Sequence, residues 1–188
     1  SAVIPGTTTP AEVGIVYDWE NRWAIDSSWG PRNRDKNYAE TVIEHYRAFW
    51  NRGIPCDVFE SLHDFSKYRL LVIPMLYMLR PGVADRLRDF VRAGGALVAT
   101  YLTGTTDSSD LVHLGGLPGE GLMDLFGIWA EEVDALPDDT AQKVSPLPGN
   151  SLDLSGSFAC RHYAEIVQLK GAQALANYAD CFYAGSPA

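Results

Sequence analysis

Cysteine is scarce in this sequence, and its three cysteines follow no recognisable pattern. Cys56, Cys160 and Cys181 form no CxxC pair and have no spacing with histidine that is typical of a metal site. A small, odd number of cysteines argues against a disulfide framework and favours free thiols in a reducing compartment, so we expect a cytoplasmic protein. The sequence leaves open a bridge between Cys160 and Cys181 across neighbouring strands.

Basic residues are also few. The 188 residues include 15 lysines and arginines against 24 aspartates and glutamates, which gives a formal net charge of −9 at pH 7. Because nucleic acids and anionic membranes repel a surface of this sign, we expect neither as a partner. No apolar run approaches the roughly 20 residues of a membrane-spanning helix. The first residues lack the basic start and the apolar core of a signal peptide.

The short motifs of several enzyme classes are missing as well. No GxSxG nucleophile motif is present, and the glycine-rich segment 115–119 has neither GxGxxG nor GxxxxGK[ST] spacing. We therefore expect no catalytic residue, no cofactor-binding residue and no metal ligand in this chain. The chain starts at Ser1 rather than methionine and stops without a terminating signal, so we expect it to be a piece of a longer protein.

What the sequence does contain is one complete strand–helix–strand unit over residues 67–104. Leu70–Ile73 is an uninterrupted apolar run, typical of a strand buried on both faces of a parallel sheet. The next apolar residues are spaced as one stripe of a helix that Gly94 and Gly95 end: Val83, Leu87, Phe90 and Val91. Residues 96–101 predict a second buried strand. Parallel strands joined by a helix indicate an α/β fold.

The remaining patterns extend this unit into a full fold. Strands are predicted at 13–17 and 56–59, with a strongly periodic helix over 38–52 between them. A short helix at 122–126 precedes a strand at 128–133. Together these elements predict a doubly wound, flavodoxin-like, mostly parallel sheet with helices on both faces and an antiparallel C-terminal extension.

We divide the chain into four parts on this basis. Residues 1–11 read as an N-terminal linker, and residues 12–135 as the α/β core. Residues 136–157 are rich in proline and glycine and predict an irregular connection. Residues 158–188 predict a C-terminal hairpin, truncated at its end, in which strands 162–169 and 172–178 flank Lys170-Gly171. Phe182-Tyr183 is expected to begin a further strand.

Two long loops, 18–37 and 103–121, follow predicted strands and should emerge together at the carboxyl edge of the sheet. The first contains Trp19, Trp23 and Trp29 among charged residues such as Arg22. Tryptophan with arginine is the composition of interface hot spots, and exposed tryptophan also stacks on sugars. The alternative is that Trp19 and Trp23, four residues apart, fold back over the sheet on one helical turn as core.

The second loop carries Asp107, Asp110 and His113 at three-residue steps. A metal site or an acid/base group is conceivable there, but no other histidine or carboxylate has matching spacing nearby. We favour polar residues that cap turns of the loop.

Several segments of the chain resemble one known family. They are YDWENRWA (17–24), YAETVIEHYRAFWNRGIPCDVF (38–59), YRLLVIPMLYML (68–79), LRDFVRAGGALVATYLTGTTDSSDLVHLGGLPG (87–119) and DLFGIWAEE (124–132). They resemble the middle domain of glycoside hydrolase family 42 β-galactosidases, called the β-galactosidase trimerisation domain. The C-terminal segment LKGAQALANYADCFYAGSPA (169–188) resembles the end of the same domain. The resemblance implies a glutamine-amidotransferase-like fold that has lost its nucleophile, in agreement with Tyr101-Leu102-Thr103 at the corresponding turn.

The resemblance also implies what the parent protein does. The parent would be a retaining β-galactosidase that hydrolyses terminal non-reducing β-D-galactosides, with its two catalytic glutamates on a TIM barrel outside this chain. The domain itself would be inactive and would hold subunits in a homotrimer. Its partners would be the same domain of neighbouring subunits and the TIM barrel of the same enzyme. Two alternatives remain. One is a self-contained carbohydrate-binding or sugar-processing domain; the other is a hydrolase using Asp107, Asp110 and His113.

Overall fold

The structure is a computed structural model that describes residues 9–30 and 32–188, so most of the expected linker 1–11 lies outside the described residues. The helices and strands follow in the order β1 (Val13–Val16), α1 (Trp19–Ser27), α2 (Tyr38–Trp50), β2 (Cys56–Phe59), β3 (Leu70–Ile73), α3 (Val83–Arg92), β4 (Ala96–Ala99), α4 (Leu122–Phe126), β5 (Ile128–Ala135), β6 (Gln142–Pro146), β7 (Phe158–Cys160), β8 (Tyr163–Leu169) and β9 (Ala176–Tyr178).

Strands β1 to β4 form a four-stranded parallel sheet in the order β2-β1-β3-β4. Its side chains alternate between two apolar clusters, as the period of a strand requires. On one face, Ile15 and Val72 pack with Val42 of α2, and on the other face Leu71 packs with Leu87 of α3. Helices thus cover both faces of the sheet, which confirms the predicted α/β class and its doubly wound topology.

Strand β4 differs from its prediction as a second buried strand. It is the outer strand of the sheet, it ends at Ala99, and Val98 is 44% exposed. An apolar run predicts a strand but carries no information on whether another strand pairs with its far side. That is why the edge position could not be inferred from residues 96–101.

The C-terminal third contains two antiparallel sheets instead of the predicted hairpin. Strand β8 pairs with β5, whereas β9 pairs with β6 in a three-stranded sheet of order β7-β6-β9. The amides of Lys170 and Ala172 both donate to the carbonyl of Gly127, so the Lys-Gly turn is fixed to the start of β5 and separates the two strands. Phe182-Tyr183 lies in a turn and begins no strand.

Two further predictions need correction. The connection 136–157 contains β6, whose residues are too polar for an apolar pattern to reveal it. The first half of the loop 18–37 is helix α1, whose buried side consists of Asn21, Ala24 and Ile25 while its tryptophans point outward. Because a polar residue is buried and aromatic residues are exposed, the sequence of α1 lacks the apolar stripe that predicts a helix.

The structure bears on two expectations from the sequence, the state of the cysteines and the lack of a membrane-spanning helix. Cys56, Cys160 and Cys181 are all free, so the bridge that the sequence left open between Cys160 and Cys181 is not formed. Within residues 9–30 and 32–188, no helix combines the length and the apolar character that a membrane crossing would need.

Candidate functional site

The carboxyl edge of the parallel sheet begins with a buried acid. Asp18 lies two residues after the end of β1, is 1% exposed and accepts a hydrogen bond from the amide of Glu20, which makes it the N-cap of α1. Its other carboxylate oxygen accepts from the amide of Ser61, at 3.2 Å, and from the Ser61 hydroxyl. The guanidinium of Arg80 lies 3.4 Å from the same oxygen.

The pKa of Asp18 shows that this carboxyl is held as an anion. Burial alone would raise its pKa, but the hydrogen bonds from Ser61 and the charge of Arg80 outweigh burial and bring the pKa below its ordinary value. A charge fixed at the first turn of α1 also suits the positive end of the helix dipole. Asp18 therefore orients α1.

A second buried polar residue, Asn21, joins α1 to the segment after β3. Its side-chain amide donates to the carbonyl of Met75 at 2.9 Å, and its side-chain carbonyl accepts from the amide of Met78 at 2.8 Å. Asn21 is 1% exposed, so both bonds are shielded from water. The inner side of α1 is thus fixed at two points to the segment that follows β3.

The outer side of α1 is aromatic. Trp19 and Trp23 are 54% and 62% exposed, with their rings 6.4 Å apart, and Trp29 beyond the helix is 91% exposed. The guanidinium of Arg22 lies 5.5 Å from the ring centre of Trp19 and donates to the hydroxyl of Tyr17. We call Trp19, Arg22, Trp23 and Trp29 the tryptophan surface. Its two helical tryptophans do lie one turn apart, but they face outward and are not core.

The loop 103–121 meets α1 at the same edge. Asp107 shapes this loop, because its carboxylate accepts from the amides of Ser109 and Leu111, at 2.7 and 3.2 Å. The ring of His113 packs against Gly119, where an added Cβ would lie 2.2 Å from the imidazole. In the described part of the chain, no group of three histidine, cysteine, aspartate or glutamate residues is arranged to hold a metal ion.

The tip of this loop is apolar, which the sequence analysis missed because isolated aliphatic residues in a polar loop give no periodic signal. Leu111 and Val112 are 64% and 57% exposed, and Leu114 is 99% exposed. We call these three residues the leucine tip.

Lys36 lies at the C-terminal end of α1, next to the tryptophan surface. It is 8% exposed, and its ammonium group donates to the carbonyls of Ile25 and Ser28 at the C-terminal end of α1. Burial lowers the pKa of Lys36, while the charges of Asp26 and Asp110 act in the opposite direction. Asp110, one of the predicted site residues, therefore belongs to the electrostatic environment of the lysine that closes α1.

The turn after β4 is the elbow position, where the resemblance predicted from the sequence would place a nucleophile. Leu102 occupies this turn with a positive φ of 63°, a strained geometry for a leucine, and its side chain is aliphatic. Its amide donates to Glu165 on β8 at 3.0 Å. Burial raises the pKa of Glu165 to about 7. A lone glutamate in an alternating strand carried no signal that could have singled it out.

Comparison with known proteins identifies the fold. The family model of the β-galactosidase trimerisation domain matches residues 11–188. The chain belongs to this family. The match confirms the resemblance predicted from the sequence, including that of the C-terminal segment, and it covers the antiparallel C-terminal sheets.

Relatives of this trimerisation domain are β-galactosidases. The chain is 49% identical to β-galactosidase Pbg of Clostridium perfringens over 97% of its own length, and 46% identical to β-galactosidase BglY of Alicyclobacillus acidocaldarius over 100%. The solved β-galactosidase of Rahnella sp. R3 superimposes with a TM-score of 0.95 at 48% identity, covering 97% of this chain and 27% of that one. The chain spans about a quarter of the length of the curated relatives it matches.

Proposed function

We propose that this trimerisation domain is a non-catalytic assembly module, which holds the subunits of a β-galactosidase together as a homotrimer through its tryptophan surface and its leucine tip. The observation that carries this proposal is the exposure of three tryptophans at one edge of the sheet. Burying a side chain of this size in an interface contributes about 1.5–3 kcal/mol, and aromatic residues dominate interface energetics.

The geometry of this edge supports an interface better than a catalytic centre. Asp18 and Asp107, which follow strands and would be candidates for chemistry, are both committed to structural hydrogen bonds. Asp110 contributes to the surroundings of Lys36, and His113 is packed against Gly119. What remains accessible is aromatic and aliphatic, flanked by Arg22.

The parent activity follows from the relatives. We propose that the parent hydrolyses terminal non-reducing β-D-galactosides with two glutamates on a barrel outside this chain, with the barrel and the neighbouring subunits as partners of this domain. Leu102 in the elbow position supports an amidotransferase-like fold without a nucleophile. The free cysteines support a cytoplasmic location.

Light scattering behind a sizing column, over a wide concentration range, tests the assembly role. A mass near three times the 20.6 kDa of the chain is expected. Trp23→Ala and Trp29→Ala should shift the equilibrium toward the monomer. Trp50→Ala is the matched control, because Trp50 is 68% exposed on α2, outside the tryptophan surface, and its removal should leave the mass unchanged. A monomer at every concentration, or an equal effect of all three variants, would contradict an interface at the tryptophan surface.

A second candidate function is carbohydrate binding, since the exposed faces of Trp19 and Trp23 also suit a pyranose ring. Titration calorimetry with galactose and lactose separates the two functions. A saturable heat that Trp23→Ala abolishes would favour sugar binding, whereas an assembly module should give none.

A further inference from the structure

A groove of about 770 Å³ lies between the edge of β4 and the sheet formed by β5 and β8. Leu97 and Ala99 of β4 line one side, and Ile128 of β5 lines another part. Strand β8 contributes every second residue: Tyr163, Glu165, Val167 and Leu169. These residues extend along about 20 Å of strand, so the groove is long and narrow. It includes none of the residues of the tryptophan surface or the leucine tip.

The β4 side of this groove is an open sheet edge. The amide of Ala96 donates to the carbonyl of Arg69 on the β3 side. Because backbone groups in a parallel ladder alternate between the two sides, the amides and carbonyls of Leu97 and Ala99 point away from β3. Within the described residues, no strand pairs with this side of β4.

The two edges of the parallel sheet differ in their protection. Strand β2, the opposite edge, carries Asp57, which forms a salt bridge with Lys67. Charges of this kind discourage further strands from adding to an edge. Strand β4 consists of alanine, leucine and valine only, so nothing in its sequence protects it. An unprotected apolar edge beside a groove is the arrangement in which an extended segment adds as a new strand.

Glu165 sets the charge of the groove. One of its oxygens accepts from Leu102, and the carboxyl otherwise borders the groove between apolar side chains. Arg161 also borders the groove and is exposed, and the other titratable groups that line it are Tyr101, Cys160, His162, Tyr163 and Tyr178. A carboxylate among apolar side chains is stabilised by pairing with a cation, which a molecule bound in the groove would supply.

We propose that this groove receives an extended segment of the same polypeptide, from outside these 188 residues, which adds to the open edge of β4 and places a lysine or arginine opposite Glu165. The same polypeptide is favoured over a separate partner because the chain spans only 26–27% of its curated relatives, and a tethered segment has a high effective concentration. The segment has apolar residues at alternate positions, to match the period of β8.

Hydrogen–deuterium exchange in the full-length enzyme tests the added strand. The amides of Leu97 and Ala99 should exchange on the order of 100-fold more slowly than unprotected amides. The amide of Val58 is the control. Because Tyr17 donates to the carbonyl of Phe59, the backbone of Val58 faces away from the sheet at the β2 edge, and it should exchange rapidly. Rapid exchange at Leu97 and Ala99 would overturn the proposal.

Photo-crosslinking identifies the occupant. A benzoylphenylalanine at Gln173, which is exposed and borders the groove, should give a crosslink within one chain to an extended segment containing a basic residue. A crosslink of doubled mass would assign the groove to a second copy, and no crosslink would leave it empty; either result overturns the proposal. Both are independent of whether the tryptophan surface forms a trimer.

Three variants refine the test, and one of them is a control. Ala99→Pro removes an outward amide without removing a bond to β3, and it should lower the crosslink yield several-fold. Val58→Pro makes the same change at the β2 edge and should leave the yield unchanged. Glu165→Gln keeps an acceptor for Leu102 but removes the charge, and should lower the yield about tenfold if a basic residue lies opposite. An unchanged yield in Glu165→Gln would overturn the basic partner.

Discussion

The backbone amide of Leu102 donates a hydrogen bond of 3.0 Å to the carboxyl of Glu165. The bond joins the strained turn after β4 to the middle of β8, and thereby ties the parallel sheet to the antiparallel one. The strained turn after β4 therefore helps to hold the two sheets together.

The buried carboxyl of Glu165 makes stability depend on pH. Its pKa rises to about 7 in the folded chain against an ordinary value of 4.5, so the folded state binds more protons between these values. Stability should therefore fall as pH rises from about 4.5 to 7, by at most about 3 kcal/mol. Glu165→Gln should be more stable than the unmodified chain at pH 8 and equal to it near pH 4.5, as measured by urea denaturation. Glu132→Gln, at an exposed position of β5, should show no such difference.

Removal of the buried acid at the start of α1 should be costly. Asp18→Ala deletes the N-cap of α1 and leaves the buried Ser61 without its acceptor, while Arg80 keeps Glu60 and Glu20 as partners, so we expect a loss of about 2–4 kcal/mol in the free energy of unfolding. Asp26→Ala is the control on the same helix, since Asp26 is exposed and forms a surface salt bridge with Arg22; it should cost under about 1 kcal/mol. Equal losses in the two variants would refute the structural role of Asp18.

The same anion should give an acid limit to stability. Because the folded pKa of Asp18 lies below its ordinary value of 3.8, its contribution is complete above that value and is lost as pH falls below it. In acid titrations followed by tryptophan fluorescence, the unmodified chain should lose stability below pH 4, and Asp18→Asn should lose less over the same interval. Parallel acid titrations of the two proteins would contradict this assignment.

The buried lysine that closes α1 should control the position of Trp29. Lys36→Met removes the bonds to the carbonyls of Ile25 and Ser28, and should lower the free energy of unfolding by about 1.5–3 kcal/mol. Hydrogen exchange should increase over 25–30 before the whole chain unfolds. Lys67→Met removes an exposed lysine from a surface pair and serves as the control; comparable losses in both variants would argue against a special role of Lys36.

Glycine is required beside His113. Gly119→Ala places a methyl group 2.2 Å from the imidazole and should destabilise the chain by about 1–3 kcal/mol. The double variant Gly119→Ala, His113→Ala should recover part of this loss, which a thermal-denaturation cycle measures. Among the described residues, nothing lies within 4 Å of a Cβ added at Gly30, so Gly30→Ala should be nearly neutral. Additive effects of the two substitutions would show that His113 is not the obstruction.

The local patterns of the sequence predicted the parallel half of the fold and failed in the antiparallel half. The run Leu70–Ile73 and the stripe on α3 are internal to their elements, so their signal survives without knowledge of neighbours. The pairing of β8 with β5, and of β9 with β6, depends on contacts between distant segments, and the local Lys-Gly turn suggested the wrong partner.

The candidate site was predictable to a similar extent. The composition of residues 19–29 indicated exposed tryptophans, and the structure shows them exposed, although on a helix that was not predicted. The leucine tip and Glu165 could not be found, because their significance lies in what surrounds them in space. Asp107 was expected to cap a turn of its loop, and it does so.

The two hydrogen bonds of Asn21 have a consequence for how this domain associates. They fix α1 to the carbonyl of Met75 and the amide of Met78, so Trp19 and Trp23 stand on a support that is already ordered in the single chain. Less conformational entropy is then lost when the two rings become buried, and a modest contact area suffices for a given affinity. Asn21→Ala would keep all three tryptophans in the chain and still weaken association. The substitution would loosen α1, and the helix would have to become ordered again each time two subunits meet.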